Sequence, residues 1–235
     1  MPDNNQEDLK FSTKQDYANW VKATDWYQTI HLSFGITTPG KVRTDKRISE
    51  LEKLDFIGKS VLDVGCNSGQ YSLLAKKKGA LRVVGVDIDS HRIHQAKVLA
   101  ANENLSVDFQ LGGIEMVPSL GQFDIVICIA VLTEIENVLG GLRILRESTG
   151  GQTIIEMGLA RPILYLSYNR RWFHRDEQVS RFGKVGELQR HKHAGWVLYP
   201  SIEIVQDIFG PNFRVDYKGR RLRYDLLHVQ KLPSS

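Results

Sequence analysis

The stretch Val61-Leu62-Asp63-Val64-Gly65-Cys66-Asn67-Ser68-Gly69 decides the fold of this chain. It begins as an apolar run typical of a buried strand, turns through glycines, and leads into helix-forming residues from Gln70. Glycine allows a sharp turn and a close approach of the backbone to a ligand, and a helix that starts there presents free N–H groups with positive dipole character. The stretch therefore predicts a strand–loop–helix unit that meets a ligand at its loop.

The same alternation continues on the C-terminal side of this unit. The predicted strands are 61–65, 82–87, 107–111, 123–132 and 152–158, and the predicted helices are 70–78, 90–102 and 137–146. Ser90 is the predicted N-cap of the second of these helices. Short apolar strands separated by helices imply a parallel sheet covered on both faces. Right-handed crossovers then give an α/β, doubly wound, mostly parallel fold.

The flanking regions follow other patterns. Apolar positions predict helices at 11–21 and 48–56, on either side of an aromatic loop from Trp26 to Gly40. Residues 161–198 are aromatic and basic and are interpreted as an insertion or lid after strand 5. A helix at 201–209 and two strands, 212–218 and 223–231, joined by a tight Lys218–Gly219 turn, close the chain. We therefore expect an N-terminal helical lid or extension at 1–56 and one domain at 57–235.

Composition excludes several classes of protein. The hydrophobic fraction is 42% and the charged fraction 25%, both ordinary for a globular domain. No apolar run approaches the roughly 18 residues of a membrane span, and residues 1–10 are too polar for a secretory signal. Cys66 and Cys128 lie in apolar surroundings that predict buried thiols rather than a disulfide framework. We expect a cytoplasmic protein that does not enter membranes.

The net charge of +4 is unevenly distributed. Residues 161–223 hold 13 Lys/Arg and 6 Asp/Glu, a net +7, so the remainder carries −3. This pattern favours an anionic partner on one face, and a solvated basic face is an equal alternative.

A second element supports a nucleotide-like ligand at the loop. Asp87 ends the next predicted strand, 24 positions after Asp63. An acidic residue there accepts hydrogen bonds from ribose hydroxyls. The spacing Gly65-x-Asn67-x-Gly69, with Asp63 two residues earlier, resembles class I S-adenosylmethionine-dependent methyltransferases, although Asn67 replaces the more usual glycine. Phe123-Asp124-Ile125-Val126 resembles the fourth-strand motif of the same superfamily, and the resemblance implies S-adenosylmethionine as cofactor.

A narrower resemblance is to the tRNA wobble-uridine (carboxy)methyltransferases. It rests on Trp26-Tyr27-Gln28-Thr29-Ile30-His31-Leu32, Gly113-Ile114-Glu115, Pro118-Ser119-Leu120 and Tyr199-Pro200-Ser201. It implies that Gly65 underlies the methionine part of the donor, that Asp87 holds the ribose, and that Ile114 and Glu115 flank the adenine. The full predicted cofactor-binding set is Asp63, Gly65, Cys66, Asn67, Gly69, Asp87, Ile88, Ile114, Glu115, Ile129 and Thr133.

Residues near the predicted donor site also bear on which donor and which acceptor the protein uses. Carboxymethyl-transferring relatives have a tyrosine that contacts the donor's carboxylate. At that position this chain has Thr133, which is followed by Glu134. The negative charge of Glu134 favours ordinary S-adenosylmethionine over its carboxylated form. The candidate general bases are His31, Glu134, Glu156 and His174. A small-molecule acceptor, anionic by the charge pattern, stands slightly ahead of tRNA.

Arginines interleaved with aromatics, as at 170–175, suit phosphate contact with base stacking, or a small phosphorylated or carboxylated molecule. A catalytically silent module that binds S-adenosylmethionine or RNA is the alternative from another class. His191 and His193 lack the acidic or cysteine partners of a metal site, so no metal is predicted.

Overall fold

The computed structural model describes residues 9–42, 44–159, 187–191, 195–221 and 224–233. Its chain divides into two compact units, Met1–Met116 and Val117–Ser235. The predicted insertion at 161–198 lies mostly outside the described residues, as do Leu222 and Arg223.

The first unit builds the strand–loop–helix pattern. Its elements are helices α1 (Lys14–Ala23) and α2 (Asp45–Leu51), then β1 (Ser60–Val64), α3 (Gln70–Lys77), β2 (Arg82–Asp87), α4 (Ser90–Asn102) and β3 (Asp108–Leu111). Strand β2 pairs in parallel with both β1 and β3, with Val64 opposite Val86 and Asp87 opposite Leu111. Because this register aligns the carboxyl ends of β1 and β2, the loop after β1 lies beside Asp87.

Helix caps in this unit follow from short polar side chains. Thr13 caps α1, where its hydroxyl accepts a hydrogen bond from the Asp16 N–H. The predicted N-cap of α4, Ser90, is wrong by one residue. Asp89 takes that position because its carboxylate accepts hydrogen bonds from the His91 and Arg92 N–H groups, and it thereby satisfies two of the donors that a helix start leaves free.

The second unit also alternates strands with helices, and its last strands reverse direction. Its elements are β4 (Phe123–Ile129), α5 (Val138–Ser148), β5 (Thr149–Met157), β6 (Glu187–His191), β7 (Gly195–Tyr199), α6 (Ile202–Phe209), β8 (Phe213–Arg221) and β9 (Tyr224–Lys231). Strands β4 and β5 are parallel, whereas β9 is antiparallel to both β5 and β8. Strands β6 and β7 form a separate antiparallel pair within the region that was predicted as an insertion.

The strand order is β3-β2-β1 in the first unit and β4-β5-β9-β8 in the second. Such an order, with helices between parallel strands, is that of a Rossmann-like α/β fold, in which ligands bind beyond the carboxyl ends of the strands. The predicted doubly wound, mostly parallel α/β fold is confirmed. Within the described residues, no helix combines the length and apolar character that a bilayer crossing needs.

Two predicted boundaries are wrong for identifiable reasons. Strand β4 ends at Ile129 instead of continuing to residue 132, because Ala130 adopts a left-handed conformation (φ 60°) and its N–H donates to the Glu156 carbonyl. Strand β8 does not turn at Lys218–Gly219. It runs on to Arg221 across an irregularity between Tyr217 and Arg220, so the predicted turn is a bulge.

Candidate active site

The loop after β1 carries three left-handed backbone conformations. Gly65 and Gly69 have φ angles of 71° and 83°, and Asn67 between them has φ 51°. The N–H groups of Gly65 and Cys66 both donate to the Val86 carbonyl, which fastens the start of the loop to β2. Two of these positions require glycine, and asparagine is among the few other residues that tolerate this region of φ/ψ space.

Asn67 stabilises its left-handed conformation through local hydrogen bonds. Its Oδ1 accepts a hydrogen bond of 2.8 Å from the Ser68 N–H, and its own N–H donates to Asp87 Oδ2 at 2.8 Å. The replacement of the usual glycine therefore leaves the turn intact and links the loop to the end of β2.

Asp87 is held from two sides. Its Oδ2 accepts from Asn67, and its Oδ1 accepts from the Asp89 N–H at 2.9 Å. The carboxylate is only partly buried. Since each carboxylate oxygen has two lone pairs, one per oxygen remains to accept hydroxyl donors. The two backbone bonds orient the group before any ligand arrives.

Apolar surface lies next to this carboxylate along the chain. Ile88 is 78% exposed, an unusual state for isoleucine at the end of a buried strand. The backbone of Gly113 lies against both the Ile88 side chain and the Glu115 carboxylate, so this predicted pair shares one stretch of surface. Ile114 itself is buried at the start of the 3₁₀ segment Ile114–Leu120. The arrangement presents a carboxylate for hydroxyls beside an exposed apolar side chain, which fits a nucleoside.

The buried Asp63 carboxylate accepts hydrogen bonds that hold the start of α3 in place. It is 1% exposed, and its Oδ2 accepts from the Ser72 N–H at 3.0 Å and from the Ser72 hydroxyl at 2.7 Å. Burial raises the pKa of this carboxyl to about 7, against the hydrogen bonds from Ser72 that lower it. The carboxylate satisfies the first turn of α3 and so holds the helix at the end of the loop.

Cys66 is fully buried in the loop, where its Sγ lies 3.6 Å from the Asn67 carbonyl oxygen. Burial raises the pKa of this thiol, so it is an inert packing group at neutral pH. Both Cys66 and Cys128 are free thiols.

The N-terminal segment packs on this same unit. The Gln70 side-chain Nε2 donates to the Thr29 carbonyl at 2.7 Å, and Gln95 Nε2 donates to the Asp25 carbonyl at 2.9 Å. His31, two residues after Thr29 in the same segment, is exposed, and its Nδ1 lies 3.2 Å from Thr37 Oγ1. Residues 25–31 are therefore attached to the helix that starts at the loop and to α4.

The sequence did not single out Gln70 and Gln95. Gln95 is fully buried, and its Oε1 accepts from the Ser68 hydroxyl at 2.7 Å, so one side chain joins the loop to residue 25. The sequence feature that could have indicated them is a glutamine on the buried face of each helix, because a buried amide needs hydrogen-bond partners.

The remaining predicted residues lie in the second unit. Ile129 ends β4, and Thr133 is buried, with its hydroxyl 3.4 Å from the Ala130 carbonyl oxygen. Glu134 is exposed, whereas Glu156 in β5 is fully buried. Of the two candidate bases that the structure describes in this unit, Glu134 is the one whose side chain is exposed to an acceptor.

Other candidates lie outside the described residues. These are His174 and the rest of 170–175, together with Lys192, His193 and Arg223; the side chains of Arg190, His191, Arg220 and Arg221 are also not described. In the part of the chain that is described, no group of three or more His, Cys, Asp or Glu side chains has the arrangement of a metal site.

Known proteins resemble this chain in both sequence and fold. A family model described as a methyltransferase domain matches residues 61–146, which contain the glycine loop, Asp87 and the 114–115 turn. Residues 61–146 therefore form a methyltransferase domain of the class I S-adenosylmethionine-dependent type. The family and the cofactor predicted from the glycine loop are confirmed.

Two relatives illustrate how far the sequence similarity of this methyltransferase extends. Ribosomal protein L11 methyltransferase of Neisseria meningitidis serogroup B is 38% identical over 98 residues, 42% of this chain and 32% of that protein. The tRNA U34 carboxymethyltransferase of Campylobacter hominis is 30% identical over 106 residues, 44% of this chain and 37% of that protein. The chain thus spans less than half the length of these curated relatives.

A solved structure is similar over nearly the whole chain. The N-terminal domain of EvdMO1, crystallised in the presence of S-adenosylhomocysteine (SAH) and D-fucose, gives a TM-score of 0.67 at 14% identity. The similarity covers 93% of this chain and 95% of that domain. At this identity the likeness establishes the fold alone.

Proposed function

We propose that this methyltransferase transfers a methyl group from S-adenosylmethionine to an oxygen or nitrogen of a small-molecule acceptor. The observation that carries the proposal is the geometry of Asp87, which the Asn67 and Asp89 N–H groups hold beside the glycine loop. The excess of basic residues in 161–223 favours an anionic acceptor.

The residues of the first unit divide the work of binding the donor. Gly65 carries no side chain, so that the backbone there approaches the methionine part, and Gly69 leaves room for the Phe109 ring behind the loop. Asp87 accepts hydrogen bonds from the ribose hydroxyls with lone pairs that the backbone leaves available. Ile88, Ile114 and Glu115 flank the adenine.

The cofactor supplies an activated methyl group on a sulfonium, which an oxygen or nitrogen nucleophile displaces in line. The protein's part is to orient the acceptor and, for a hydroxyl, to remove its proton. His31 and Glu134 are the exposed candidates for that base, and Glu156 is a buried one.

Plain S-adenosylmethionine is the proposed donor. Glu134 is an exposed carboxylate directly after Thr133, and Thr133 stands where carboxymethyl-transferring relatives have a tyrosine. A second carboxylate on the donor would meet like charge there.

A tRNA acceptor is the second candidate. The similarity to a tRNA U34 carboxymethyltransferase, 30% over 106 residues, favours it specifically. A silent binding module is less well supported, because the donor-loop residues and Asp87 are all present.

Calorimetric titration of the purified chain tests the donor half. We expect S-adenosylmethionine and SAH to bind far more tightly than the carboxylated donor. Asp87→Asn should weaken SAH binding by about 10- to 100-fold, since hydrogen bonds to a charged group are lost. Asp108→Asn is the matched control: it removes an exposed carboxylate at the start of β3, and SAH affinity should not change. Tighter binding of the carboxylated form would instead make wobble-uridine tRNA the leading substrate.

Transfer of a radiolabelled methyl group tests the acceptor half. Label should enter the small-molecule fraction of a cell extract and not a tRNA pool supplied in parallel. Label in tRNA alone would replace the first candidate by the second. Binding of SAH with no transfer to either pool would support the silent module.

A further inference from the structure

Two glutamines attach the N-terminal segment beside the donor loop, and they differ in one respect. Gln95 satisfies both ends of its amide: its Nε2 donates to the Asp25 carbonyl, and its Oε1 accepts from the Ser68 hydroxyl and from Arg92. Gln70 satisfies only its nitrogen, which donates to the Thr29 carbonyl at 2.7 Å. Gln70 Oε1 is buried and has no hydrogen-bond partner within the described ranges.

The orientation of the Gln70 amide is fixed by its neighbour. The Thr29 carbonyl can only accept a hydrogen bond, so the NH₂ group must face it and Oε1 must face elsewhere. Gln70 is 6% exposed, so bulk water does not compensate the oxygen. A buried acceptor without a partner is costly and uncommon in native proteins, and it calls for a group that brings a donor.

The position of Gln70 indicates which group that is. Gln70 follows Gly69 directly and begins α3, so it adjoins the loop that underlies the methionine part of the donor. The ribose hydroxyls are assigned to Asp87 at the end of β2, and the adenine to residues 114–115. The methionine part carries one group with hydrogen-bond donors, its α-ammonium, which has three.

A second buried oxygen matches this chemistry. Gln28 Oε1 is also without a partner in the described ranges, and Gln28 precedes the residue that Gln70 holds. A cationic group with several N–H bonds can satisfy more than one acceptor, whereas a single hydroxyl donates only one hydrogen bond. The carboxylate of the methionine part has no proton to give either oxygen.

We propose that Gln70 Oε1 accepts a charge-assisted hydrogen bond from the α-ammonium of the bound S-adenosyl donor. Gln70 is then a ligand-binding residue, and its bond to Thr29 makes the placement of the N-terminal segment part of the donor site. The proposal rests on the proposed function, because it takes the S-adenosyl group as the ligand of the loop.

The experiment compares three ligands by calorimetry on the full chain, so its readout is binding and not activity. SAH carries the ammonium and the carboxylate, 5′-deoxy-5′-(3-aminopropylthio)adenosine carries the ammonium alone, and 5′-methylthioadenosine carries neither. Gln70→Met removes the acceptor and the bond to Thr29. Gln70→Glu removes only the donation to Thr29 and keeps an acceptor oxygen.

We expect Gln70→Met to weaken the two ammonium-bearing ligands by about 10- to 100-fold and to leave 5′-methylthioadenosine unchanged. Gln70→Glu should retain the preference for the ammonium-bearing ligands, since a carboxylate there pairs with the cation. An equal loss for all three ligands in Gln70→Met, or no loss for SAH, would overturn the proposal. Failure of the wild-type chain to bind any of the three would instead refute the proposed function.

Discussion

Replacement of Asp63 by asparagine should remove one component of the pH dependence of folding. The Asp63 carboxyl is buried at the end of β1, and burial raises its pKa to about 7 from the ordinary value of 3.8. Asparagine has the same shape, and its Oδ1 can still accept both hydrogen bonds from Ser72. The substitution therefore removes the ionisation and keeps the contacts.

The sign of the effect follows from which state binds the proton more tightly. Because the pKa is raised in the folded chain, the folded state holds this proton between about pH 4 and pH 7, where the unfolded state has already lost it. The contribution of Asp63 to stability is therefore full below about pH 4, falls as the pH rises to about 7, and is constant above that. A rise of about three pKa units corresponds to about 4 kcal/mol at 1.36 kcal/mol per unit.

Urea unfolding of the wild-type chain and Asp63→Asn across pH 4 to 8 measures this difference, since other titrating groups cancel in the subtraction. The free energy of unfolding of Asp63→Asn minus that of the wild type should rise with pH by about 4 kcal/mol and level off near pH 7. Asp108→Asn, which removes an exposed carboxylate, should show no such rise. A difference that is flat over the whole range would refute the reasoning and mean that Ser72 keeps Asp63 ionised.

Substitutions at three further positions test other parts of the structure by urea unfolding. Gly69→Ala should cost about 2–4 kcal/mol, because its left-handed conformation (φ 83°) disfavours a Cβ and that atom would lie 2.7 Å from the Phe109 ring. Ala130→Val should destabilise by about 2 kcal/mol, while Ala130→Gly should change stability by less than about 1 kcal/mol, since the residue is left-handed at φ 60°. Glu103→Ala should cost about 3 kcal/mol because the Ser33 N–H and hydroxyl lose their acceptor, and faster hydrogen exchange at residues 33–38 should accompany it.

The donor half of the site was predictable because its signals are local. The strand before Gly65, the turn residues and the acid at the end of β2 all lie between Ser60 and Asp87, and each follows from backbone geometry or strand periodicity. The parallel register of β1 and β2 then brings the loop and Asp87 together without any further information. The start of α4 was misplaced by one residue because two neighbouring residues, Asp89 and Ser90, both favour the N-cap.

The predicted start of β5 is wrong because two glycines there are required by a tertiary contact and do not mark a loop. Gly150 and Gly151 follow Ser148 and Thr149, and such a cluster normally indicates a loop, so β5 was predicted to begin at residue 152. The strand instead begins at Thr149, beside an irregularity in its pairing with β4. A Cβ on Gly151 would lie 2.6 Å from the Asp124 carbonyl oxygen. Glycine is needed there because the β4 backbone passes close by, and no pattern within β5 reveals that.

The polar contacts that attach the N-terminal segment were beyond sequence pattern for a different reason. Gln95 lies in the middle of α4 and Glu103 directly after its last residue, and both polar side chains are buried. Their partners, Asp25 and Ser33, are 70 residues away in each case. These two side chains stay buried only while the segment covers them. Detaching the segment would expose them to water and break their hydrogen bonds to its backbone carbonyl and N–H groups. The hydrogen bonds of Gln70 and Gln95 thus connect the segment to the donor loop, and a substitution that detaches residues 25–33 should weaken donor binding.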